Sequence, residues 1–172
     1  MQYTVNLYEN SDDNRCRFAL GVERRKNLIV FGVNPSTADA TTPDQTIRRV
    51  MGFAEKFGCD GFIMLNLSAQ RSTDPKGMHQ DRSLEEHARN LAHIQRILDR
   101  NAGAVLLAAW GSLIVTRQYL KENLLDIHAL VAERQLQWHT LGPLLKSGHP
   151  RHPSRAPGRL TLAAFDPKSY LQ

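Results

Sequence analysis

Cysteine is almost missing from this 172-residue chain: Cys16 and Cys59 stand far apart, in neither a CxxC nor a Cys/His spacing. That excludes a cysteine-built zinc or iron–sulfur centre and gives no disulfide framework. Long apolar runs are missing as well. None approaches a membrane span, and the first residues hold no signal-peptide core, so the expected compartment is the cytoplasm, with no membrane partner. No repeat, low-complexity tract or interdomain linker is visible, and this length suits one domain that buries roughly 70% of its unfolded surface. Nothing in the sequence asks for a metal or another cofactor.

Acidic residues are missing from one long stretch. Between Arg134 and Phe165 there is no Asp or Glu, while Arg134, Lys146, Arg151, Arg155, Arg159 and three histidines lie in the same stretch. The whole chain carries a formal net charge of +5. A basic, Pro/Gly-rich segment is what a polyanion partner wants, because neutralising phosphates supplies sequence-independent affinity. On charge alone, a solvated surface that keeps the protein soluble explains the pattern equally well.

The apolar patterning alternates between strand and helix. Residues 2–8 and 15–21 alternate around the turn-rich residues 10–14, a β-hairpin signature that places residues 1–26 at a sheet edge. Leu28 to Phe31 is a continuous apolar run, expected of a strand buried on both faces. Thr42 as N-cap, Pro43 at the first helical position and Gln45 predict a helix with Ile47, Val50, Met51, Ala54 and Phe57 inward, closed by Gly58. Gly61 to Leu67 is a second strand. Ser83 and Glu86 form a capping box for a helix to about Asp99, with Leu84, Ala88, Leu91, Ile94 and Leu98 facing in. Ala104 to Ala109 is a third strand, followed by Trp110-Gly111 and a helix from Ser112; residues 124–133 either continue that helix or form their own. Leu136 to Leu141 is the fourth strand, and Asp166-Pro167 starts a terminal turn. The expected fold is a single-domain α/β three-layer sandwich. It has a mostly parallel four-stranded sheet with helices on both faces, a core over residues 27–157 and an extension over 158–172.

Distinctive residues fall at the carboxyl ends of four such strands, where ligands bind in open parallel sheets. They are Gly32-Val33-Asn34-Pro35-Ser36, Asn66, Trp110-Gly111, and the loop Gly148-His149-Pro150-Arg151-His152-Pro153-Ser154. Each alone has a structural explanation: Asn-Pro is a common turn, and Asn66 could bond its own backbone. Together at one end of a sheet they point to a site.

These motifs resemble the uracil-DNA glycosylase superfamily over about Leu28 to Pro157. Gly32 to Ser36 is similar to the first motif of the mismatch-specific and thymine branch, where asparagine replaces the aspartate of the uracil branch. Leu65-Asn66-Leu67 with Arg71 resembles the strand whose asparagine reads a base edge. Val105 to Gly111 resembles the apolar strand ending in Trp-Gly, and His152-Pro153-Ser154 the His-Pro-Ser motif. The chain also resembles, more closely, a bacterial domain family of unknown function with the pattern Asn-Pro-Ser-Thr-Ala-Asp, Asp-x-Thr-Ile-Arg-Arg, Trp-Gly and Gly-x-Pro-Arg-His-Pro.

The first resemblance implies a metal-free, monofunctional DNA glycosylase. Such an enzyme hydrolyses the N-glycosidic bond of a damaged, mismatched or modified pyrimidine, a bulky one in foreign DNA included, in repair or defence. Asn34 would hold the attacking water, Asn66 would pair with the base edge, and His152 or His149 would donate to the leaving base. Gly32, Pro35, Ser36, Arg71 and Trp110 would line the substrate. Lys146, Arg151, Ser154, Arg155 and Arg159 would hold phosphates of duplex or single-stranded DNA. Asp39 or Asp44 could supply a base that Asn34 cannot, Asp44 serving otherwise as a favourable charge at a helix start. Arg48 and Arg49 face either phosphate or solvent. No large apolar wedge follows His152-Pro153-Ser154, and no aromatic follows the first motif. Hydrolysis of a free nucleoside or nucleotide, and nucleic-acid binding without catalysis, are the alternative functions.

Overall fold

The computed structural model describes residues 1–171. In chain order it forms β1 (Leu7–Asn10), β2 (Arg17–Val22), β3 (Asn27–Gly32), α1 (Gln45–Lys56), β4 (Gly61–Asn66), α2 (Leu84–Asp99), β5 (Val105–Ala108), α3 (Tyr119–Glu133), β6 (Trp138–Leu141), β7 (Leu162–Phe165) and α4 (Pro167–Leu171). Short 3-10 turns cover Pro75–Gly77, Gly111–Thr116 and Pro153–Arg155.

The described residues build one seven-stranded sheet in the order β1-β2-β4-β3-β5-β6-β7. Its parallel core is β4-β3-β5-β6, the four strands expected from the apolar runs. Every residue of β3 and β4 is buried, as strands covered on both faces require. Ile29, Phe31, Ile63 and Leu65 pack with Ile94, Ile97 and Leu98 of α2 and with Leu120, Leu124 and Ile127 of α3. Leu28, Val30, Phe62 and Met64, in the opposite phase, pack with Ile47, Val50, Phe53 and Ala54 of α1.

Four expectations need correction. The sheet has seven strands, not four. The hairpin is hydrogen-bonded into it, with β2 antiparallel to β4 (Leu20↔Met64, Val22↔Phe62) and β1 outermost. At the other edge β7 pairs antiparallel with β6, Trp138 opposite Phe165 and Leu141 opposite Leu162. Leu-Ala-Ala-Phe is too short and too little alternating to announce a strand.

Second, the N-cap of α1 is Asp44, not Thr42; its carboxylate accepts from the Ile47 N–H at 2.9 Å. The Thr42 N–H is taken by Asp39 Oδ1 at 2.7 Å, so the chain is still in its loop there. Third, α2 presents His87, Asn90, Ile94, Ile97 and Leu98 to the core, while Leu84 is 70% exposed and Ala88 is exposed. Polar His87 and Asn90 carry the stripe that a purely apolar reading assigns to Leu84 and Ala88. Ser83 does cap this helix, accepting from the Glu86 N–H at 3.3 Å. Fourth, the segment from Ser112 is a 3-10 turn, and the α-helix begins only at Tyr119.

Candidate functional site

Parallel register places Gly32 directly beside Asn66 at the ends of β3 and β4. Beyond them the two loops stay zipped: the Leu67 and Ser68 N–H groups donate to the Gly32 and Val33 carbonyls at 2.9 Å. A side chain at Gly32 would put its Cβ 2.9 Å from Asn66 Oδ1 and 2.7 Å from Met64 Cε, so glycine keeps room for the Asn66 amide. Asn66 is 1% exposed, and neither its Oδ1 nor its Nδ2 has a hydrogen-bond partner among the described residues. A buried side-chain amide normally finds partners, because leaving it unpaired costs about 1–3 kcal/mol.

The amide lines a crevice of about 180 Å³ shared with Gly32, Asn34, Ser36, Asp44 and His152. Asn34 Nδ2 donates to the Pro35 carbonyl at 3.0 Å and the Ser72 carbonyl at 2.8 Å, which orients the side chain and leaves Oδ1 as an acceptor.

His152 reaches the same crevice from the loop after β6. Its Nδ1 lies 2.7 Å from Ser154 Oγ and accepts from the Ser154 N–H at 3.4 Å. A backbone N–H can only donate, so the neutral ring carries its proton on Nε2. Burial, reinforced by the nearby Arg155 charge and opposed by Asp44, lowers its pKa below the ordinary histidine value and favours that neutral donor. Gly111 lies against this histidine: its φ of +59° favours glycine, and an added Cβ would stand in van der Waals contact, 3.4 Å from His152 Cβ.

The structure adds a residue that the motifs miss. Arg17, 3% exposed at the start of β2, lines this crevice. Its Nη1 donates to the Ala38 carbonyl at 2.8 Å and its Nε has no partner. Burial first, and the like charge of Arg71 second, push its pKa down to about 10, so it stays charged at neutral pH. Period-two patterning cannot separate it from Arg15, which has the same phase and is exposed. Arg71 stands nearby, donating to the Ser36 carbonyl at 3.0 Å and the Tyr8 hydroxyl at 2.6 Å.

Other candidates lie elsewhere. His149 faces a neighbouring cavity, with Nδ1 2.6 Å from the Tyr170 hydroxyl. Trp110 is fully buried against Trp138, Phe165 and Tyr170, its indole N–H donating to the Tyr170 hydroxyl at 3.3 Å. The Asp39 carboxylate accepts from the N–H groups of Thr41 and Thr42 and from the Thr41 hydroxyl; those bonds lower its pKa and hold it in its own turn. Asp44 lines the crevice while capping α1. Of the two helix arginines, Arg48 is exposed, whereas Arg49 donates to the Pro153 and Ala156 carbonyls and ties α1 to the histidine loop. Arg151, Ser154 and Arg155 line a groove of about 370 Å³ that shares Leu113 and His152 with the crevice. Lys146 and Arg159 are exposed on the flanking loops. Among the described residues no three His, Cys, Asp or Glu side chains gather as a metal site, and no helix is long and apolar enough to cross a membrane.

Fold and site define an α/β domain with a polar crevice at the carboxyl ends of its parallel strands. Residues 17–154 match the model of a family described as a protein of unknown function, DUF1643, and the chain belongs to that family. No curated protein and no solved structure matches it.

Proposed function

We propose that the chain is a DNA glycosylase-like hydrolase that cleaves the N-glycosidic bond of a damaged, mismatched or modified pyrimidine. One observation carries the reading: Asn66 holds a buried donor and a buried acceptor, both unpartnered, on the wall of a crevice. A pyrimidine edge offers the complementary acceptor and donor, and an extruded base is read by such contacts. Glycosidic cleavage moves the bonding electron pair onto the base and leaves cationic character at the sugar carbon. His152 Nε2 donates to the leaving base as its charge grows, a contribution on the order of 3 kcal/mol for an aimed donor in a dry site. Asn34 Oδ1 accepts a hydrogen bond from the water that adds to the sugar carbon, and the departing proton passes to solvent. No strong base is needed where the cation forms ahead of attack. The basic groove beside His152, with Arg151 and Arg155, suits phosphates of the flanking strand.

The buried charge of Arg17 favours a second reading, hydrolysis of a free nucleotide whose phosphate enters the crevice. The deciding experiment is base release from duplex and single-stranded oligonucleotides. They carry uracil, mismatched thymine or modified cytosines, bulky ones included, with wild type beside Asn34→Ala. An abasic product made by wild type and lost in the variant is the expected result. Absence of product from every oligonucleotide, with nucleotides hydrolysed, would replace the first reading by the second. Binding without release of any kind would leave a nucleic-acid-binding module.

A further inference from the structure

Arg17 is a charge without a counter-ion. It is 3% exposed, its one side-chain hydrogen bond goes to a neutral carbonyl, and no carboxylate among the described residues pairs with it. Desolvating a charge costs several kcal/mol unless an opposite charge and further hydrogen bonds compensate. The nearest influences are mixed. Asp44 acts on Arg17 across the crevice, but its Oδ1 is spent on the Ile47 N–H. Arg71 adds repulsion, and its own Nε is buried without a partner.

One further feature leans the same way. Asn66 Nδ2 is a second buried donor without an acceptor. An uncompensated guanidinium and an idle amide N–H on one crevice wall match one kind of ligand.

We propose that the crevice binds a compact oxyanion, a phosphate or carboxylate group, seated against the Arg17 guanidinium with Asn66 Nδ2 as second donor. The site stands whether or not the chain breaks glycosidic bonds, because the unpaired charge needs an anion in either case. The test therefore uses no base-release assay. Calorimetric titration and thermal melting are run at constant ionic strength with inorganic phosphate and, separately, acetate. Wild type is compared with Arg17→Met and with Arg25→Met, which removes an exposed arginine at the opposite, amino end of the strands.

Saturable binding is expected in wild type and Arg25→Met, with a melting temperature that rises by several degrees or roughly RT ln(1 + [L]/Kd) in free energy. In Arg17→Met the affinity falls at least about tenfold, and the ligand-free protein melts higher than wild type because an uncompensated buried charge is gone. The anion that binds more tightly identifies the ligand group as phosphate or carboxylate. Equal responses in wild type and Arg17→Met, or no saturable heat in wild type with either anion, overturn the proposal. Should Arg17→Met fail to fold, Asn66→Asp replaces it: a built-in carboxylate beside the guanidinium abolishes anion binding, and retained binding overturns the site.

Discussion

Asn27 and Asn66 are the same residue at opposite ends of the parallel strands, each 1% exposed, and they are treated in opposite ways. At the amino end Asn27 Oδ1 accepts from the Arg24 N–H at 2.9 Å, and Nδ2 donates to the Arg24 carbonyl at 2.8 Å and to Asn101 Oδ1 at 2.6 Å. Asn101 passes the network on to Glu23, which also pairs with Arg100. At the carboxyl end the Asn66 side chain bonds to nothing among the described residues, while its backbone carbonyl accepts from Asn90, and the unpaired Arg17 shares its crevice. A closed network holds the fold, whereas an open one at similar burial is held ready for a ligand. The amino end is finished by the protein itself and the carboxyl end is not.

Alanine at each position breaks or sharpens this contrast most strongly. Asn27→Ala strands the Arg24 backbone and the Asn101 amide, and is expected to cost about 3 kcal/mol. For a chain of this length that lowers the melting temperature by roughly 10 °C. Asn66→Ala removes no protein hydrogen bond, so its stability stays within about 1 kcal/mol of wild type. Its base release, by contrast, falls on the order of a hundredfold or more. Denaturant unfolding of both variants is the check. Comparable losses of stability would mean that Asn66 is structural after all.

Two glycines around β5 repeat the comparison at smaller scale. Gly103 precedes the strand at φ +82° with nothing within 4 Å of an added Cβ; Gly111 follows it at φ +59° with His152 at 3.4 Å. Both alanine variants incur the left-handed backbone cost of about 1–2 kcal/mol. Only Gly111→Ala also shifts backbone that lies in contact with the His152 loop, so it alone should lower activity, by a few-fold, at matched folded fraction. Equal activities in the two variants would detach Gly111 from the site.

How much of this was legible in the sequence follows from range. Leu28 to Phe31 and Gly61 to Asn66 declare buried strands because both faces are covered, and their carboxyl ends place Asn34 and Asn66 near one another. The His152 loop joins them as its strand position implies. His149, only three residues earlier in the same motif, turns to Tyr170 on α4, a partner supplied by a terminal segment with no pattern of its own. Trp110 is drawn inward for the same reason, since β7 and α4 bring Phe165 and Tyr170 over it. Asp44 rather than Thr42 caps α1 because Asp39 captures the threonine amides first, a competition within one loop that residue preference cannot rank. Arg17 is hidden from sequence reasoning by phase: Arg15 shares its parity, and only packing of the loop at Ala38 buries one and leaves the other exposed.

The smallest expected effect separates the histidines by pH. Burial lowers the folded pKa of His152 below the ordinary histidine value of 6.5, while the unfolded side chain keeps that value. Well above 6.5 the imidazole is neutral in both states and stability does not depend on it. As pH falls below 6.5 the unfolded state takes up the proton first, so unfolding is favoured progressively until the folded pKa is reached. His87, His128 and His149 are lowered too, each with burial as the leading cause, so the wild type should lose stability between about pH 7 and about pH 5. His152→Gln removes one contributor: its stability–pH curve should be flatter on the acid side and unchanged above neutrality, as read by denaturant midpoints across that range. His87 is lowered by burial and Arg82 against Asp126, 3.0 Å from Nε2, and His152 by burial and Arg155 against Asp44. His87→Gln should likewise flatten the acid limb, and an unchanged curve in either variant would mean that its imidazole binds protons alike in the folded and unfolded states.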